Sequence, residues 1–142
     1  MTHKVVSSLA VALTMLASTA TCANPEAASH AAACVAALKA RESAMTLALK
    51  PGAPVEPELL QVVRGGIAII GDQYLSGLRE SEARRLLDAA ERDFQTLPAA
   101  AAETRQAQCL QEGDRLYKRA SALERSLITA AAQRRIKRLR AT

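Results

Sequence analysis

AAAAETRQAQCLQEGDRLYKRASALERSLITA, residues 99–130, repeats small or apolar residues in steps of three and four. Ala102, Gln106, Cys109, Gly113, Leu116, Ala120, Leu123, Leu127 and Ala130 form one seam across about four heptads, as expected of a helix that packs along its length. Extended to the C-terminal end, this helix predicts a rod near 50 Å long at about 1.5 Å per residue. At Arg134 and Arg138 the seam turns cationic, so packing is expected to stop near Ala131 and leave a basic tail over residues 134–142.

Upstream the helical period continues, and no stretch alternates as a half-buried strand would. Ala31, Cys34, Leu38, Met45 and Leu49 share a face of a first helix, which the proline-rich KPGAPVEP at residues 50–57 brings to an end. Pro57 suits the first turn of a second helix carrying Leu60, Val63, Ile67, Ile70, Tyr74 and Leu78. Val62 and Ile69 lie off that stripe and are expected to be apolar contacts for a partner. A third helix follows Ser81, read as its N-cap, with Ala83, Leu87, Ala90, Phe94 and Leu97 inward and Pro98 at its end.

Four helices with short connections predict an all-α, up-down-up-down four-helix bundle over residues 24–133 with an overlong, basic-ended last helix. That last helix would overhang the shorter ones and expose Leu123, Leu127 and Ile128. Such a patch needs a cover, either the 24–29 segment or a second copy in a homodimer. Gly65, Gly66 and Gly71 interrupt the second helix, and each is expected to admit a close neighbouring helix. VVRGGIAIIGDQYL (residues 62–75) is not a phosphate loop, since no Lys-Ser or Lys-Thr follows Gly71.

Residues 1–23 read as an export signal: Lys4, an uncharged apolar run from Val5 to Ala17, then small residues suited to cleavage after Ala20 or Ala23. A lipoprotein anchored at Cys22 fits less well, because Thr19 and Thr21 depart from that motif. The expected location is therefore periplasmic or secreted. Cleavage after Ala23 leaves Cys34 and Cys109 in an oxidising compartment, where a disulfide between them is expected.

The composition excludes more chemistry than it suggests. Only His30 of the two histidines outlasts signal removal, so no multi-histidine metal site forms, and no cofactor is expected. No nucleophile elbow and no Cys-x-x-Cys is present, and the close carboxylates Glu56 with Glu58 and Glu80 with Glu82 sit at predicted helix starts, where negative charge is favoured anyway. Nothing in this pattern points to an enzyme.

The charge is local. The chain carries 19 cations against 14 anions, and its formal net charge of +5 is matched by five residues near the end: Arg134, Arg135, Lys137, Arg138 and Arg140. A neutral body with a cationic end, and 2% aromatic residues, argues against a nucleic-acid face. The expected function is that of an exported, non-enzymatic binding protein of the cell envelope that contacts an anionic surface or an acidic protein through these five residues. The alternative is a periplasmic chaperone or inhibitor that binds its partner through apolar helix faces.

Overall fold

The computed structural model describes residues 24–50 and 52–141. The expected signal segment 1–23, with Cys22, lies outside them. Among the described residues there are five α-helices and no strand: α1 Pro25–Ala48, α2 Pro57–Leu75, α3 Glu80–Gln95, α4 Ala99–Arg119 and α5 Ala122–Leu139. None is long and apolar enough to cross a membrane.

Local chemistry sets most of the ends. Asn24 caps α1 by accepting the Glu26 N–H at 3.0 Å, with Pro25 in the first turn. Pro57 opens α2, and Gly77 just beyond it adopts a φ of +96°, a left-handed conformation that closes a helix. α3 begins two residues earlier than expected: Arg79, not Ser81, holds the cap position. Pro98 belongs to the start of α4 rather than the end of α3.

The expected continuous last helix is two helices. Ser121 accepts the Glu124 N–H at 3.2 Å, and the Glu124 carboxylate accepts the Ser121 N–H at 2.7 Å, a capping box that starts a new helix. Ala120, with φ −62° and ψ 151°, breaks the α4 ladder just before it. The seam running through this point is a coincidence of spacing, because the strongest local start signal lies within it.

The first four helices alternate in direction as expected, but their neighbours are not those of a simple four-helix ring. α1 packs against α2, α3 and α4, and α2 packs against α1, α4 and α5. Cross-contacts give the directions. His30 faces Glu112 and Cys34 is bonded to Cys109, so α1 and α4 run oppositely. Arg41 pairs with Glu58 while Ala28 clusters with Leu78, so α1 and α2 also run oppositely. Lys39 meets Glu91 at 2.5 Å and Ala28 meets Ala83, so α3 lies parallel to α1.

α1 can serve three neighbours because Ala28, Ala31, Ala32, Ala36 and Ala37 are buried around its circumference, and small side chains let helix axes approach. On α2 the buried row is Val62, Gly65 and Ile69 toward α1 and α4, with Leu59 and Val63 toward α5. Val62 and Ile69, expected at an outer contact, are each 1% exposed and form the core. α2 is apolar almost all round because it is covered almost all round. Of its glycines, Gly65 lies directly on Gly113 of α4, whereas Gly66 and Gly71 have open space beside them.

Candidate functional site

α5 carries four of the five cations and Arg140 is its C-cap, so the placement of α5 decides what they can reach. Ala132 and Ile136 are buried in a cluster with Leu59 and Val63, so α5 folds back along α2 and stays packed through its last turns. Packing does not stop near Ala131, and residues 134–140 are no detached tail. The sequence stripe ends there only because Ala132 and Ile136 continue it on a rotated face.

That packing divides the five cations. Arg135 turns inward: its Nε donates to both oxygens of Glu42, at 3.0 and 2.9 Å, and its Nη2 lies 2.9 Å from Glu42 Oε1. Glu42 is buried on α1, so Arg135 neutralises a core carboxylate and ties α1 to α5. Arg140 donates to the Ala53 carbonyl, holding the α1–α2 connection, while the residue as a whole stays exposed. Arg134, Lys137 and Arg138 face solvent.

Beside this basic face lies an open groove of about 580 Å³ between the start of α2 and the end of α5. Val55, Pro57, Leu60 and Ile136 line it, with Lys137 and Arg140 also on its wall. With Glu56 also on the wall, it joins apolar surface to two cations and one carboxylate. At the far end of α5, Leu123 and Leu127 are 71% and 60% exposed, whereas Ile128, expected to be exposed with them, is half-buried; Leu75 on α2 is 81% exposed. Leu127 and Ile128 line a second groove of about 530 Å³ with Tyr74, Leu75 and Leu116.

A third constellation surrounds the disulfide. Cys34 and Cys109 are bonded, with an S–S distance of 2.10 Å, and both are buried. His30 Nε2 lies 2.8 Å from Glu112 Oε2 and 3.9 Å from Cys34 Sγ, and Glu112 Oε2 lies 4.0 Å from the same sulfur. This mixed set was not expected from the sequence, in which a single histidine remains after residue 23. Its signal was the pairing of His-x-x-x-Cys with Cys-x-x-Glu, each spanning one helical turn.

Glu124 is held below the usual carboxylate range, first by the Ser121 hydroxyl and then by the Ser121 N–H. Capping accounts for that shift without a catalytic role. Comparison with protein-family models, curated proteins and solved structures found no match, so the chemistry of each site rests on its own geometry.

Proposed function

We propose that the mature chain is an exported, non-enzymatic protein that attaches to an anionic surface of the cell envelope through the outward face of α5. The observation that carries this reading is the division of the cations: packing fixes the helix by Ala132, Ile136 and Arg135, and leaves Arg134, Lys137 and Arg138 directed to solvent on a rigid support. Each cation held near an anionic surface contributes about 1 kcal/mol, so three of them, aided by Arg140, give weak, salt-sensitive attachment. The apolar groove beside Lys137 suits an amphiphilic surface better than a purely polar polymer. An acidic protein partner would engage the same face.

Truncation after Gln133 is a poor test, because it also removes the buried Ile136 and the Arg135–Glu42 pair. Replacing Arg134, Lys137 and Arg138 together by Gln leaves the packing intact. The intact protein should sediment with anionic vesicles at low salt and be released at moderate salt, and the triple variant should stay in solution at both. Equal sedimentation of the two proteins contradicts the proposal.

A chaperone or inhibitor role has one observation in its favour, the exposed apolar groove of Tyr74, Leu75 and Leu127 at the opposite end of α5. In that reading Leu75→Ser with Leu127→Ser abolishes suppression of an unfolded client's aggregation and leaves vesicle binding unchanged. A double variant that suppresses aggregation as well as the parent protein removes this second reading.

A further inference from the structure

We propose that the reduced protein binds one zinc ion through His30, Cys34, Cys109 and Glu112, so that metal and disulfide are alternative states of the same two cysteines. His30 and Cys34 are four apart on α1, and Cys109 and Glu112 are three apart on α4; both spacings place a pair on one side of its helix. The antiparallel crossing of α1 and α4 then brings the two pairs together. One ligating atom each from His30, Cys34 and Glu112 already lies within 4.8 Å of the others.

The distances suit a small tetrahedral ion. Metal–ligand bonds of about 2.0–2.3 Å imply ligand–ligand edges of about 3.3–3.8 Å. The observed edges are 2.8, 3.9 and 4.0 Å, on both sides of that range. Cys109 Sγ, bonded to Cys34 Sγ and not among those three atoms, must move once that bond is cut to become the fourth ligand. An ordinary exposed His–Glu pair would need no explanation. This one sits against the buried Cys34 sulfur.

Two thiolates, an imidazole and a carboxylate form a donor set that favours zinc over the hard cations calcium and magnesium. With all four positions filled, the site is closed and structural rather than catalytic. His30 is the most exposed ligand, with its side chain 61% accessible against 27% for Glu112, so the ion enters from that rim. A dithiol reductant supplies two electrons and two protons to the Cys34–Cys109 bond and becomes a disulfide itself. Zinc then replaces the two thiol protons, which pass to water, while neutral His30 ligates through Nε2. Oxidation by a protein or small-molecule disulfide takes two electrons from the thiolates, reforms the crosslink and releases the ion.

The test is cobalt(II) titration of the full mature chain, reduced with dithiothreitol in denaturant and refolded without oxygen, followed by displacement with zinc. The reduced protein should take up one equivalent and show the visible absorption of a tetrahedral thiolate site, while the disulfide form shows none. His30→Ala and Glu112→Gln should each weaken zinc binding by more than about tenfold, since even outer partners of a metal site are worth that much. His30 is exposed and Glu112 half-buried, and the disulfide forms of both variants should keep the helical circular dichroism of the parent. If the reduced chain loses helicity without metal, zinc should restore it. Failure to restore it, absence of the tetrahedral spectrum, or equal zinc affinity in the parent and both variants overturns the proposal.

Discussion

Gly113 and Gly65 meet backbone to backbone, but not symmetrically: a Cβ built on Gly113 would stand 2.6 Å from the Gly65 Cα, and one built on Gly65 would stand 3.5 Å from the Gly113 Cα. The first distance forces α2 and α4 apart, while the second is ordinary contact. Gly113→Ala should therefore destabilise the fold by about 1–2 kcal/mol, the overpacking cost outweighing the gain in helix propensity. Gly65→Ala should be neutral or stabilising by up to about 1 kcal/mol. Urea denaturation of the two single variants decides it, and equal effects would contradict the geometry.

The buried Glu42 depends on a cation from the far end of the chain. Arg135→Ala leaves that carboxylate without its partner and should cost about 3 kcal/mol, the lower end for broken buried pairs because Arg135 is partly exposed. Glu42→Leu with Arg135→Leu should recover most of that loss. Thermal melts of the single and double variants measure the coupling.

The break between α4 and α5 rests on the Ser121–Glu124 box. Ser121→Ala should cost about 1 kcal/mol. The carboxyl of Glu124 is depressed in the folded state, so its contribution is complete above the ordinary carboxylate range and is lost as pH falls through the lowered folded value. The stability difference between the parent and Glu124→Gln should accordingly vanish in acid. A difference that persists at the lowest pH would contradict the cap.

Cys34 and Cys109 close a loop with a sequence separation of 75. Replacing both by Ala should lower stability by about 4 kcal/mol on the chain-entropy account, with α1 and α4 still helical. Guanidinium denaturation of the double variant gives the figure.

Helix type and most boundaries were legible in the sequence because prolines and periodicity act locally: Pro57 opens α2 where expected, and KPGAPVEP does end α1. The disulfide was legible too, since both cysteines fall on apolar rows. Packing order was not. Val62 and Ile69 look peripheral beside the Leu60–Ile67 stripe, and only the presence of helices on three sides of α2 makes them core. The break at Ser121 was written in Ser-x-x-Glu but hidden by an uninterrupted seam. The five cations looked equivalent because a linear charge run does not show that Glu42, 93 residues from Arg135, is waiting for one of them.

The claim on which the basic face depends is that α5 is docked. Residue-resolved amide exchange of the free protein tests it most directly. With α5 docked, the amides from Ala132 to Ile136 should be protected to nearly the same degree as those of Val62 and Val63 on α2. Exchange from Ala132 to Ile136 at the rate of an unstructured chain would mean a free tail, and would contradict both the division of the cations and the surface built on it.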